Sequence, residues 1–499
     1  MNKSIFLPTL VFILMTSCSV KEEMASFTSS DYYFANSVTK GVGIATDSYC
    51  VTPGMIMEYI KTTSKDSLSI VSVLPYPTED NPAFYVVNFE NGFKVFPSDS
   101  RFGLELISGE TDNLDLSVKT KNRGFNIWIE ELQSQILTAK DNVSADPTVD
   151  YSSIWNSFKN SSLDANQLES LSHEVRNRDY LPPDMLWAKI KISNSVSTTV
   201  MTDIGHLLQT KWGQGNPWNV SLPDVGGDRW ITGCVAVAVA QILYYFNQSL
   251  DLPSGLYHSL DVVSTPLSPL SYYGPNYYNV NLNRGNFVFN SSRWGSMPLD
   301  SLSGTTTGYR YVSDLMLDVG QRLGMHYSSS LSVVTADSNG FINIAPCKLS
   351  YSWSSFSDTY GIRNVLYSLK YHDSPVIVSA TINNTSLGHT WVIDGFRATK
   401  VTTFEKYGWY PASIIPPQIT VYDTKTTSEL IALYGEFYGG MQVEENHHTS
   451  IENYYKMNWG YDGEHDDYLY LVGVNASWDG FNTNKVIHYD LSPSEFNIP

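Results

Sequence analysis

Hydrophobic and polar positions change period several times along the chain, and each change predicts a different element. In PAFYVVNFENGFKVFPSDSR (82–101) two apolar runs, Phe84–Phe89 and Phe93–Phe96, flank Asn91-Gly92. Asn-Gly accommodates the positive φ of a tight turn, so the stretch predicts a β-hairpin. Further on, GFNIWIEELQSQI places Phe125, Trp128, Ile129, Leu132 and Ile136 on one helical stripe. Hairpin and helix together predict a small α+β unit over about 30–140, after a polar tether at 19–30. Residues 141–200 are rich in Ser, Asn and Asp, carry Pro182-Pro183, and end in KISNSVSTTV. With no apolar period at 193–199, this segment reads as an exposed linker, with Lys189 and Lys191 open to a protease. From about 201 a larger unit is expected, with helices near Thr232–Phe246 and Val312–Leu323. Strand-like runs follow at 375–382, 390–396 and 468–474. Helices first and strands later predict an α+β fold rather than an alternating doubly wound sheet.

Within TGCVAVAVAQILYYF (232–246) the local pattern is ambiguous, because Val and Ala alternate as in a strand. The wider window decides it. Val235, Val239, Ile242, Leu243 and Phe246 keep helical spacing, and Ala236 and Ala240 give a second close-packed face. Thr232 is the expected N-cap, which puts Cys234 in the first helical turn. There the helix dipole favours a thiolate. Taken alone, the stretch fits a buried, inert cysteine better than a nucleophile.

Composition narrows the class. The 499 residues carry 31 basic and 50 acidic side chains, a net charge of −19, which excludes phosphate-backbone binding as the main activity. The first apolar run, in MNKSIFLPTLVFILMTSC, has Lys3 ahead of it and small residues behind it, the layout of a signal peptide. MTSC resembles a bacterial lipobox, which makes Cys18 the expected lipidation site and the outer membrane a partner through a lipid anchor. SVKEE after Cys18 resembles a surface-export tag of Gram-negative lipoproteins. The expected location is therefore extracytoplasmic, at the cell surface or outer membrane, or released from it. Beyond Cys18 there remain Cys50, Cys234 and Cys347, an odd number that leaves at least one thiol outside any disulfide. Cys50 and Cys347 read as structural.

Two further stretches supply partners for Cys234. LGHTWVIDGF sets His389 at the start of a strand, and YYKMNWGYDG sets Asn458-Trp459-Gly460 before a turn. A thiolate nucleophile needs an imidazole, and the imidazole needs an orienting acceptor. Gln214, in KWGQGNPWN, is a side-chain donor for an oxyanion beside the Cys234 N–H. Asp394 is an alternative acceptor, but five positions from His389 on a strand it faces the other way. These stretches, in this order over about 200–475, resemble the streptopain family of cysteine peptidases, and AFYVVNFENGFKVFPSDSR resembles that family's inhibitory prodomain. The resemblance implies a papain-like peptidase domain over 201–499 preceded by a prodomain over 19–140. Cys234 would be the nucleophile, His389 the base, Gln214 the oxyanion donor, Asn458 the residue holding His389, and Trp459 its shield. It implies protein or peptide substrates, an intramolecular inhibitor, and neither metal nor organic cofactor. His389 and Asn458 stand 69 positions apart, farther than the family usually places them, so 397–453 reads as an insertion or loop on the rim of the site. Lys456 stands where the family often has His.

The expected function is a secreted cysteine endopeptidase made as a zymogen. A catalytically silent binding or inhibitor protein, and a Cys-His acyl-transferring enzyme, are the alternatives. Other features have blander readings: His447-His448 as a solvated loop, DGEHDD (462–467) as a non-calcium acidic turn, Trp212 and Trp218 as packing, and SYYGPNYY (271–278) as a locally packed loop.

Overall fold

The computed structural model describes residues 13–16, 49–63, 69–141, 151–158, 165–176, 181–225, 227–249, 271–272, 291–329, 332–337, 341–347, 349–355, 358–381, 388–417, 419–471 and 483–493. Cys18 and the tether at 19–30 lie outside these residues. Of the leader, only Ile13–Thr16 is described, as a short strand beside Val333–Ala336. Of 271–278, only Ser271–Tyr272 is described.

The N-terminal unit comprises α1 (Pro53–Thr63), β1 (Ile70–Tyr76), the hairpin β2 (Phe84–Phe89) and β3 (Phe93–Pro97), β4 (Ile107–Gly109), α2 (Arg123–Asp141), α3 (Ser152–Ser157) and α4 (Ala165–Arg176). The expected hairpin and helix are both there. Next come β5 (Leu186–Ile204), α5 (Cys234–Ser249), α6 (Thr306–Arg322), β6 (Leu349–Ser355), α7 (Asp358–Tyr371) and β7 (Val376–Thr381). The chain ends with β8 (Gly388–Pro411), β9 (Val421–Thr426), α8 (Thr427–Tyr434), β10 (Gln442–Asn458), β11 (Leu469–Leu471) and β12 (Thr483–Pro493). The fold is α+β, as the segment order predicts.

One twelve-stranded antiparallel sheet runs through both units in the order β6-β12-β7-β8-β10-β11-β4-β3-β2-β1, with β5 on β8 and β9 on β5. The units join where β11 pairs β4, Leu469 opposite Ser108 and Tyr470 opposite Ile107. Alternation along β8 assigns its two faces. Trp391 and Ile393 pack in a core with Phe125, Trp128, Ile129, Leu132 and Ile136 of α2. Val392 packs in the core of α5 and α6. The predicted stripe of α2 thus lies on the sheet of the larger unit as well as on its own hairpin.

Two expectations about the chain's middle change. The tract 193–199, expected as a linker, lies inside the 19-residue β5, which pairs β8 from Trp187–Pro411 to Ile204–Phe396. Its Ser and Thr side chains are largely exposed, so the strand is held by its ladder and carries no apolar period to read. Lys191 is buried, 3.5 Å from Glu405, and donates to the Ser157 carbonyl, so it is no open cleavage site. Nor is 397–453 a loop. β8 simply continues past the His389 region for 24 residues in all, and β10 returns beside it from Gln442–Gly408 to Asn458–Val392. With β5 and β9 these strands form a long arm. Its far end has its own small core of Trp187, Ile190, Trp409, Tyr410, Leu430 and Phe437.

Candidate active site

Cys234 is the first residue of α5, and its approach is set by Gly233. That glycine has φ +87°, and a Cβ there would stand 2.8 Å from Met325 Sδ. A side chain would be strained by the dihedral and by the contact. Thr232, the expected N-cap, does not cap the helix. Its N–H and its Oγ1 both donate to the Gln214 carbonyl, at 3.0 and 3.3 Å, because the positive φ of Gly233 turns the chain between Thr232 and the helix. The result ties Gln214, itself buried, two residues ahead of Cys234. The buried Cys234 thiol sits at the positive end of the helix dipole.

His389 begins β8, on the face shared with Trp391. Its ring lies nearly parallel to those of Trp391 (6.0 Å, 11°) and Trp459 (6.1 Å, 18°), which are themselves 5.3 Å apart, with Tyr461 tilted at 5.4 Å. The β8–β10 register, Val392 opposite Asn458, brings the two distant motifs together. A separation of 69 positions therefore costs nothing in space, because the strand leaving His389 is met by an antiparallel strand returning to Asn458, from Gly408–Gln442 to Val392–Asn458.

The residue that holds His389 differs from expectation. His389 Nε2 donates to the main-chain carbonyl of Trp459 at 3.0 Å. Asn458 turns the other way: its Oδ1 accepts from Gln241 Nε2 (2.9 Å) and the Gly460 N–H (3.2 Å), and its Nδ2 donates to the Thr210 carbonyl (2.7 Å). An amide oxygen has two lone pairs, and both are taken. Trp459 itself packs on His389, with Nε1 donating to Tyr470 Oη at 2.9 Å and its N–H to Asp466 Oδ1 at 2.8 Å. Asp394, the alternative acceptor, serves His206 Nδ1 (2.9 Å) and the Leu208 N–H (3.1 Å) instead.

The N-terminus of α2 lies on this site. A Cβ on Gly124 would stand 2.8 Å from His389 Cδ2 and 2.8 Å from Trp459 Cε3, so the glycine is in direct contact with both rings. Next to it Asn122 Nδ2 donates to the Glu464 carbonyl (2.9 Å), and Phe125 stacks on His465 at 4.0 Å. His389 is 1% exposed, and burial lowers its pKa to about 4; the Trp459 carbonyl opposes this and the Arg123 charge adds to it. In this closed form burial favours the neutral imidazole.

The remaining expectations divide. Trp212 and Trp218 are buried packing residues, Trp212 Nε1 donating to the Pro298 carbonyl at 2.7 Å and Trp218 Nε1 to Asp462. In 462–467, Asp466 points inward to Trp459, and burial pushes its carboxyl well above the usual range. His447 and His448 lie on β10 rather than in a loop, opposite Phe404 and Thr403. Among the described residues no cluster of metal-ligating side chains and no disulfide occurs. Cys347 is fully buried and its thiol pKa is raised by that burial, as befits a structural cysteine, whereas Cys50 is exposed. Gly124, Gln241 and Asp466 were not readable as site residues, because only the fold brings them to His389 and Trp459.

Set beside known proteins, residues 212–413 match the family model of the Peptidase C10 family, the streptopain family. That segment, which contains Gln214, Cys234 and His389, carries the similarity to the streptopain family of cysteine peptidases. Among solved structures, a prointerpain A fragment of Prevotella intermedia is similar at 17% identity, covering 86% of this chain and 100% of its own, with a TM-score of 0.45. Active wild-type interpain A of the same organism is similar at 18% identity, covering 58% of this chain and 95% of its own, with a TM-score of 0.32. Comparison with curated proteins returned no match.

Proposed function

We propose that the chain is a secreted cysteine endopeptidase made as a zymogen, with the N-terminal unit as its inhibitor. One observation carries the reading: Gly124 of α2 rests on His389 and Trp459. A unit that merely shared the sheet would have no reason to close over the imidazole. Once it leaves, His389 regains solvent and its basicity rises toward the ordinary range. Cys234 then gives its proton to His389, and the thiolate attacks the substrate carbonyl. Gln214 and the Cys234 N–H receive the oxyanion. Collapse transfers the imidazolium proton to the leaving amine and leaves a thioacyl-enzyme, which water hydrolyses with His389 as base. Secretion and a lipid anchor at Cys18 are supported by the leader pattern of the first eighteen residues.

The test is intact mass against time for residues 19–499 under reducing conditions, beside Cys234→Ala. Loss of the N-terminal unit in the wild type alone supports the reading. Persistence of both chains after trimming by an added protease, with no thiol-directed epoxide labelling of Cys234, overturns it and favours a binding protein.

A further inference from the structure

We propose that Gln241 is a positioning residue of the peptidase site, tying the nucleophile helix to the group that orients His389; this rests on the roles given above to Cys234 and His389. Gln241 lies seven residues after Cys234, two turns along α5. It is 0% exposed, and its neighbours along α5 from Val235 to Leu243 are all Val, Ala, Ile or Leu. An amide buried there is costly unless its hydrogen bonds are made, and they are made to β10 and to the loop that follows β5. Nε2 donates to Asn458 Oδ1 at 2.9 Å, and Oε1 accepts from Thr210 Oγ1 at 2.8 Å. Asn458 Nδ2 closes the ring on the Thr210 carbonyl at 2.7 Å. Thr210 leads, four residues on, to Gln214.

The link to His389 runs through one peptide plane. The Gly460 N–H and the Trp459 carbonyl belong to the same planar trans peptide and point in opposite directions. The N–H meets Asn458 Oδ1 at 3.2 Å and the carbonyl meets His389 Nε2 at 3.0 Å. Rotating that peptide breaks both contacts at once. Its other restraint is Gly460 itself, with φ +74° and a Cβ position 3.1 Å from Val237 Cγ1, one turn before Gln241 on the same helix. Gln241 therefore sets Asn458, Asn458 sets the peptide, and the peptide sets the imidazole. Each link also draws charge toward the carbonyl that His389 uses.

The experiment compares wild type, Gln241→Met and Ile242→Val, each matured in trans by active wild-type enzyme. Gln241→Met keeps the length and loses the donor; Ile242→Val perturbs the neighbouring buried α5 position and leaves the network whole. The readouts are kcat, KM, Tm, and the pH dependence of kcat/KM and of Cys234 alkylation by iodoacetamide. Gln241→Met is expected to lower kcat about 10- to 100-fold with little change in KM, and to shift the pH limb assigned to His389. Ile242→Val is expected to lower Tm with the profile unmoved. If Gln241→Met loses only Tm and keeps kcat and both pH profiles, the positioning role is wrong while the peptidase reading stands. If mature wild type neither cleaves peptides nor alkylates selectively at Cys234, the reading and the role fall together.

Discussion

Gly124 offers the sharpest test of inhibition, because the contact is narrow and the neighbours are rigid. Replacing it by valine sets a Cβ 2.8 Å from carbons of both His389 and Trp459, well inside ordinary contact. The rings cannot yield easily: His389, Trp391 and Trp459 pack against one another, and Trp459 is pinned by Tyr470 and Asp466. The shift must fall on the N-terminus of α2. Overpacking of this kind costs about 2–3 kcal/mol, and the helix propensity gained over glycine returns only about 0.3 kcal/mol. The population with α2 lifted should rise about 15- to 85-fold, at tenfold per 1.4 kcal/mol. Two rates report it: initial alkylation of Cys234 in the uncut chain, and loss of the N-terminal unit in intact mass. Gly54→Val, in α1 of the same unit, is the control, since a Cβ there meets nothing closer than Thr52 Oγ1 at 3.8 Å. Both rates should rise for Gly124→Val and stay near wild type for Gly54→Val. Unchanged or slower rates in Gly124→Val would refute the argument that α2 seals the imidazole.

Glu452 of β10 is buried against the N-terminal unit, Oε1 accepting from the Leu104 N–H at 2.9 Å, and burial raises its pKa to about 7. The folded chain then binds a proton that the unfolded chain releases near 4.5, so stability is greatest below that value and falls as pH rises to about 7. The loss is about 3 kcal/mol; denaturant midpoints of wild type should fall relative to Glu452→Gln between pH 5 and 8, and parallel curves would contradict this. Asp466→Asn should be tolerated, since an amide oxygen still accepts from Trp459, whereas Asp466→Ala should lose about 1–3 kcal/mol, with equal losses counting against the contact. Lys191 is buried in β5 beside Glu405, so limited trypsin should spare it in the intact chain, and an early cut there would disprove the strand.

The sequence was legible wherever local period and local packing coincide. The stripes of α2 and α5 are read from single windows because α2 buries one continuous face and α5 is buried on every side from Cys234 to Tyr244. The arm was not legible, for a reason that belongs to sheets. β5 gets its register from β8, about two hundred positions away, and its exposed Ser/Thr/Asn stretch has no alternation of its own. Strand propensity there reflects cross-strand neighbours rather than the segment itself. The same holds for His447-His448, which read as loop and lie in a ladder.

The site shows a related limit. Residue types and their order pointed to Cys234, His389 and Asn458, and the fold does bring His389 and the Asn458–Gly460 turn together. What order alone does not give is which atom of the turn faces the imidazole. That choice follows from the count of donors around Asn458. Gln241 is buried and must spend its N–H; the Gly460 N–H is buried and must spend its own; Asn458 Oδ1 takes both and has no lone pair left. His389 is then left the Trp459 carbonyl, the opposite end of the peptide whose N–H Asn458 holds. A side chain two turns deep in an apolar helix thus decides, through satisfied hydrogen bonds alone, how the imidazole is held.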